Sequence, residues 1–302
     1  DPGVHRAGIT SGLVDGLMAS GVACDVFSDV ESNPRDDTIH VGAERANAFG
    51  ADAFIGFGGG SAMDAAKGIA LLTTNGGNIS DYDGIDKVKN DLPYLVAVPT
   101  TAGTGSEVTA NAALTNSQTH YKMSVRSPRL LPRMAVVDPL LLASLPKITA
   151  ATAGLDALSH AIEGFLSVRA SALSDVFALE AIRLIGSHLR PFVANPANVE
   201  AASGMALGST LAGFVISNTG TGNDHAIARA LGGLFDTPHG LATGLLLPHV
   251  MRFNAPARPE RYVRIGQALQ LSTDGSPTVV GERVCAAIES LVRDVGIPDR
   301  LG

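Results

Sequence analysis

Ala53-Phe-Ile-Gly-Phe-Gly58 runs without a charge into Gly59-Gly60, and Ser61 then opens a stretch of helical character to Leu72. A strand of that composition is buried on both faces, and the glycines turn it directly into a helix. This unit commits the first half of the chain to a parallel sheet with helices packed on both faces. Its neighbours agree. Leu13-to-Ser20 and Asp37-to-Phe49 have helical character, while Gly21-to-Phe27 and Tyr94-to-Pro99 read as buried strands. Asp1-to-Gly8 resembles the exit of a strand with no strand before it. Beyond Asp138-to-Pro146 the character changes to long helices, near 149–168, 171–194, 198–217, 223–234, 239–253, 259–269 and 276–294. Breaks fall at Asn195-Pro196, Ser217-to-Gly222, Pro238, Pro256/Pro259 and Asp274-to-Pro277. Nothing after Pro146 reads as a strand. The expected organisation is an α/β domain over 1–147 and an all-α domain over 148–302.

Composition narrows the function classes. The chain has 302 residues, 45% apolar, and a formal charge of −7 without a basic cluster. Nucleic acid and anionic membrane are therefore not expected as partners. The two cysteines, Cys24 and Cys285, lie far apart and outside any C-x-x-C pattern, which fits a reducing cytoplasm. Neither a signal peptide nor an uninterrupted apolar run of membrane-spanning length is visible.

The chemistry concentrates in the second half. Asp156 and His160 stand four residues apart in a run free of Pro and Gly, so a helix puts both on one face. Alone, such a pair is ordinarily a surface feature. His225 and His239, in apolar, small-residue surroundings, add two imidazoles, and a carboxylate with imidazoles suits a divalent metal such as iron or zinc. Glu163, three residues after His160, suits either a surface position or a group orienting an imidazole. His5, His40, His120 and His188 read as surface or capping residues, and His249 as a packed, hydrogen-bonded histidine. In the first half, Gly58-Gly-Gly-Ser61 after a strand offers free N–H groups to a pyrophosphate; the alternative is a tight turn with Ser61 as N-cap. Pro99-Thr-Thr-Ala-Gly-Thr-Gly-Ser-Glu-Val-Thr109 after the Tyr94 strand is a second candidate ligand lip, the alternative being a Thr/Ser-capped helix entry. Lys122 follows a turn-like Asn116-to-His120.

Taken together, Gly58-Gly-Gly-Ser-x-x-Asp-x-x-Lys67, Pro99-Thr-Thr-Ala-Gly-Thr-Gly-Ser-Glu107, Asp138-Pro139, Gly154-x-Asp-Ala-x-x-His-Ala-x-Glu163 and Pro238-His-Gly240 resemble the iron-containing (group III metal-dependent) alcohol dehydrogenases. The likeness runs from Asp1 to about Pro298. It implies a Rossmann-like dinucleotide domain, a helical metal-binding domain, and a metal site in the cleft between them. By position it implies Asp156, His160, His225 and His239 as metal ligands. Gly59, Gly60, Ser61 and Asp64 would meet the pyrophosphate, Thr100, Thr101 and Thr104 the nicotinamide side, and Lys122 the ribose. Asn33 and Asp1 would lie near the adenosine end, where an acidic group disfavours a 2′-phosphate and so favours NAD over NADP. The presence of His160 leans to Fe²⁺ rather than Zn²⁺, since the zinc-using glycerol dehydrogenases typically lack it.

The chain departs from the family pattern at Arg229, where many members carry a second histidine four residues after the third ligand. Arginine does not shuttle protons near neutral pH but can bind a carboxylate-like group. Members also usually begin before Asp1 and continue beyond Gly302. The expected activity is reversible hydride transfer between a small alcohol and its aldehyde or ketone, in a cytoplasmic homodimer. The alternatives are a maleylacetate-reductase-like reduction of an anionic substrate and a degenerate homologue that binds metal and nucleotide without turnover. A lyase of the dehydroquinate synthase type is disfavoured by the scarcity of Lys and Arg near these motifs.

Overall fold

The computed structural model describes residues 1–235, 237–298 and 300. They fall into two compact units, one of residues 1–100 and 106–141, the other of 101–105 and the residues from 142 onward. The division therefore does not fall at one chain position. The short threonine- and glycine-rich loop 101–105 groups with the helical unit.

In the first unit α1 (Pro2–Arg6), α2 (Ile9–Ala19) and α3 (Asp36–Phe49) precede β1 (Ala53–Gly58) and α4 (Gly60–Asn75). They are followed by β2 (Gly84–Ile85), β3 (Tyr94–Pro99), β4 (Asn111–Thr115), β5 (Lys122–Arg126) and β6 (Met134–Ala135). One sheet is parallel in the order β1-β3-β6, with Ala53 opposite Tyr94 and Gly58 opposite Pro99. The other has the order β2-β5-β4, with β2 parallel to β5 and β4–β5 an antiparallel hairpin.

The first unit is built around α4. From Ala62 to Leu72 every residue except Asp64 is buried, and the helix packs on α3, β1, β3 and β4. Its alanines and Gly68 let these neighbours approach from several sides, so the helix is not amphipathic in the usual one-sided sense. Ile39, Ile69, Leu71, Leu72, Leu114, Met123 and Val125 share one core. Burying each large aliphatic side chain there stabilises the unit by about 1.5–3 kcal/mol.

The same helix carries a fully buried cation. Lys67 Nζ donates to the carbonyls of Ser106 (2.8 Å), Thr109 (3.1 Å) and Asn111 (2.8 Å) and to Ser106 Oγ (2.7 Å), with Asp64 Oδ1 at 3.6 Å. Burial pushes its pKa down, opposed by Asp64 and Glu107. The ammonium thereby ties the segment after the second glycine loop to the helix that follows the first.

One sequence expectation needs correction. Gly21-to-Phe27 forms no strand; it runs as coil, and Asp25 accepts two hydrogen bonds from the Arg45 guanidinium of α3, both 2.7 Å. An apolar run becomes a strand only where a neighbouring backbone pairs with it, and among the described residues none does. The β4–β5 hairpin, by contrast, was not anticipated beyond its turn. Ala112, Leu114, Met123 and Val125 are buried in alternation with more exposed neighbours, the period of a strand, although Ala113 blurs the polar alternation in β4.

The second unit contains α5 (Lys147–Leu166), α6 (Ala172–Ala194), α7 (Val199–Thr219), α8 (Asn223–Phe235), α9 (His239–Asn254), α10 (Pro259–Ala268) and α11 (Pro277–Asp294). All seven expected helices are present within two or three residues of their expected bounds. Their starts have identifiable causes: Ser171 caps α6, Asn198 caps α7, and Ser276 caps α11 ahead of Pro277. α5, α6 and α7 pack on one another, and α5 is buried almost continuously from Gly154 to Phe165. Among the described residues α7 alone is long and apolar enough to cross a membrane. More than half of it is buried against its neighbours, as befits a bundle's core helix.

Replacing Lys67 with Met keeps the side-chain volume but leaves three buried carbonyls without their donor. The expected loss is about 3 kcal/mol or more of stability, read from chemical denaturation.

Candidate metal centre and nucleotide loops

In the first unit β1 ends at Gly58, whose φ of +147° lies outside the range favoured by other residues. A Cβ there would also lie 2.8 Å from Ala62 Cβ and 2.9 Å from Asp1 Cβ. Gly59 is the N-cap of α4 and Gly60 its first residue, so the helix begins without a side-chain cap. Ser61 is thus inside the first turn and is not the N-cap. This leaves the helix's leading amides oriented as an anion-binding terminus.

Other residues assigned to the nucleotide by resemblance take varied places. Asp1 caps α1, its Oδ1 accepting from the N–H of Gly3 (2.7 Å) and Val4 (3.1 Å), and it stands beside Gly58. Asn33 adopts φ +61°, and its Oδ1 accepts from Lys122 Nζ at 2.9 Å, bringing these two candidates together. Asp64 turns to the loop: Oδ1 accepts from Ser106 Oγ (2.6 Å) and Oδ2 from the Ala113 N–H (2.9 Å). Thr100 is buried and donates its N–H to Gly58 O at 2.9 Å. Thr101 and Thr104 are half-buried.

In the second unit three helices deliver the candidate metal ligands. α5 supplies Asp156 and His160 one turn apart, α8 supplies His225 in its first turn, and α9 begins with His239. Gly240 lets the start of α9 lie against α5, since a Cβ there would come within 2.6 Å of Thr152 O. His225 Nε2 lies 3.4 Å and His239 Nε2 3.6 Å from Asp156 Oδ1, and His160 Nδ1 lies 4.0 Å from Asp156 Oδ2. The rings of His160 and His225 stack at 4.4 Å, and His239 meets His225 edge-on at 5.3 Å. All four predicted residues converge. The side chains of Asp156, His160 and His225 are 4–6% exposed and that of His239 is 34% exposed, so the cluster opens on the His239 side.

The cluster fits a divalent cation on its own chemistry. His225 Nε2 is buried without a hydrogen-bond partner although it points at a carboxylate. That nitrogen stands 3.4 Å from Asp156 Oδ1, and Asp156, His160 and His225 lie within mutual ligand reach. Burial would raise the Asp156 pKa, but the imidazoles of His160, His239 and His225 hold it well below the usual carboxylate range. Burial pushes His160 down to about 4 against the pull of Asp156. For His225 burial is outweighed by its two carboxylate partners, Asp156 and Glu163, which push it up to about 10.

Around the candidate ligands stands a shell of which the sequence points only to Glu163. Glu163 is buried; Oε2 lies 2.6 Å from His225 Nδ1, and Oε1 accepts from the Asp224 N–H at 2.7 Å. Ser159 Oγ donates to Asp224 Oδ2, Thr243 Oγ1 donates to Asp156 Oδ1 at 3.2 Å, and Gly103 O lies 3.3 Å from His160 Nδ1. Burial pushes Asp224 up to about 7. The signal for Ser159 and Asp224 was their adjacency to His160 and His225. Arg229 sits one turn after His225 on α8 and is half-buried. His249 needs correction: Leu247, Pro248, Val250 and Met251 take the buried faces of α9, and His249 is exposed.

Residues 1–139 match the family model "Iron-containing alcohol dehydrogenase", and residues 149–302 match "Fe-containing alcohol dehydrogenase family, C-terminal". The chain is 42% identical over 286 residues to the 1,3-propanediol dehydrogenase of Citrobacter freundii, spanning 94% of this chain and 74% of that protein.

The chain belongs to the iron-containing alcohol dehydrogenase family.

It is 36% identical over 299 residues to the NAD-dependent methanol dehydrogenase of Bacillus methanolicus, spanning 99% of this chain and 78% of that protein. A crystal structure of 1,3-propanediol oxidoreductase superposes with a TM-score of 0.96 at 40% identity, spanning 99% of this chain and 78% of that one. Membership makes this alcohol dehydrogenase homologue an oxidoreductase that interconverts an alcohol and its carbonyl product. Asp156→Ala and His225→Ala are each expected to lose divalent metal on dialysis, measured by elemental analysis. The exposed-site variant His249→Ala is expected to retain it.

Proposed function

We propose that this chain catalyses NAD-linked interconversion of a small alcohol and its aldehyde or ketone, with Fe²⁺ held by Asp156, His160, His225 and His239. The observation that carries the reading is the convergence of one carboxylate and three imidazoles, with His225 Nε2 buried and lacking a hydrogen-bond partner. When bound, a divalent cation supplies Lewis-acid polarisation of the substrate oxygen. NAD, when bound, supplies the hydride acceptor.

The chain's own residues do the rest. Asp156 carries the negative charge that offsets a dication among three neutral donors. His239, at the open side of the cluster, leaves that side accessible to a small substrate. The uncapped start of α4 at Gly59, Gly60 and Ser61 takes the pyrophosphate through backbone N–H groups. Asp64 and Lys67 stiffen the segment around Ser106. Thr100, Thr101 and Thr104 are assigned to the nicotinamide side. Lys122, oriented by Asn33 Oδ1, serves the ribose. Iron is favoured over zinc because all three histidines are present. NAD is favoured over NADP because the Asp1 carboxylate beside Gly58 would repel a 2′-phosphate, in line with an NAD-dependent relative.

Arg229 favours a second substrate reading. A half-buried guanidinium one turn from His225, where many family members place a histidine, suits an aldehyde that carries an anionic group. We further place the enzyme in the cytoplasm, consistent with two free thiols, Cys24 and Cys285. A homodimer is proposed from family resemblance alone.

Anaerobic loading with Fe²⁺ is expected to give NADH oxidation with short aldehydes, and Asp156→Ala to abolish turnover while NADH binding by fluorescence persists. Full activity in that variant would contradict the assignment. In the same assay Arg229→His is expected to shift preference from a 2-oxo acid or other anionic aldehyde toward a neutral one. An unchanged ratio of kcat/KM values would remove the anion-binding role.

A further inference from the structure

We infer that Glu163 is a positioning residue that fixes the His225 imidazole with its proton on Nδ1, presenting Nε2 as the donor atom beside Asp156. The inference rests on the metal reading above and concerns a group outside the four ligands.

Glu163 lies seven residues after Asp156 on α5 and three after His160, and it is 7% exposed. Its two oxygens do different work. Oε1 accepts the Asp224 N–H at 2.7 Å, in the first turn of α8, while Oε2 lies 2.6 Å from His225 Nδ1. A carboxylate accepts and does not donate, so the ring nitrogen facing it carries the proton. A cation that displaces the other ring proton then meets a lone pair on the remaining nitrogen. That nitrogen is Nε2, buried, without a hydrogen-bond partner and 3.4 Å from Asp156 Oδ1. Stacking on His160 at 4.4 Å fixes the plane of the same ring.

The carboxylate is itself held in place. Ser159, one turn earlier on α5, donates through Oγ to Asp224 Oδ2, so Ser159 and Glu163 grip consecutive residues of α8. A Cβ on residue 222 would lie 2.7 Å from Glu163 Oε1, so only glycine there leaves the carboxylate where it is. Partners that orient a ligating histidine typically change metal affinity by 10–100-fold. A simple clamp between α5 and α8 would contribute to stability but not to the choice of tautomer.

The test is the Co²⁺ dissociation constant of the full chain by chelator competition, with the cobalt absorption bands and the melting temperature read on the same samples. Glu163→Gln keeps the side-chain volume. Its amide either offers N–H to Nδ1, moving the ring proton to Nε2, or faces the Asp224 N–H donor to donor. Expected are a folded protein, Co²⁺ binding about 10–100-fold weaker than in the parent, and altered absorption bands. A lowered melting temperature with an unchanged dissociation constant would overturn the inference and leave a structural clamp. Should Glu163→Gln not fold, Gly222→Ala carries the test by displacing the carboxylate; Co²⁺ affinity equal to the parent's would overturn the inference. Failure of the parent chain itself to bind Co²⁺ would instead overturn the metal reading.

Discussion

A carboxylate buried in the middle of a helix is destabilising by several kcal/mol unless charge or hydrogen-bond donors surround it. Asp156 meets that requirement with three imidazoles and the Thr243 hydroxyl, drawn from α5, α8 and α9. The helical unit is arranged to bring these groups to one point. Gly240 admits the start of α9 against α5, and Ser159 and Glu163 hold the first turn of α8. With one carboxylate and three imidazoles that can each present a nitrogen to a cation, the cluster is matched to a dication.

The first unit resolves a comparable problem with the opposite sign. Lys67 is fully buried, and backbone carbonyls with two hydroxyls replace its water. The consequence is positional. The helix that begins at the glycine turn and the segment that follows the second loop are joined through one ammonium, with Asp64 reinforcing the joint through Ser106 and Ala113. In each unit a buried charge converts separate stretches of chain into a fixed set of side chains.

Much of this was legible in the sequence, for reasons that can be named. The helices after Pro146 announce their ends through Ser171, Asn198, Pro238 and Ser276, so their bounds follow from capping chemistry. β1 and β3 are continuous apolar runs that pair in a parallel sheet, although β1 is buried only at Gly56 and Gly58 and leaves Ile55 exposed. The Asp156–His160 pair follows from helical spacing alone, and the two distant histidines followed from their surroundings. What was not legible depended on tertiary pairing. Gly21-to-Phe27 has the composition of a strand but no ladder partner, and β4 and β5 are short strands recognisable only by alternation. Asp224 is an acidic residue in the first turn of a helix, a place it would occupy for the dipole alone. Only folding shows that Ser159 and Glu163 close on it. His249 looked like a core residue because its neighbours are apolar, yet adjacent positions on a helix face different ways.

The most direct test of the central claim is X-ray absorption at the iron edge of the anaerobically Fe²⁺-loaded chain. The account predicts a nitrogen and oxygen first shell with the outer-shell scattering of three imidazoles, which weakens when His239 is replaced by Ala. A bound iron without imidazole scattering would contradict it.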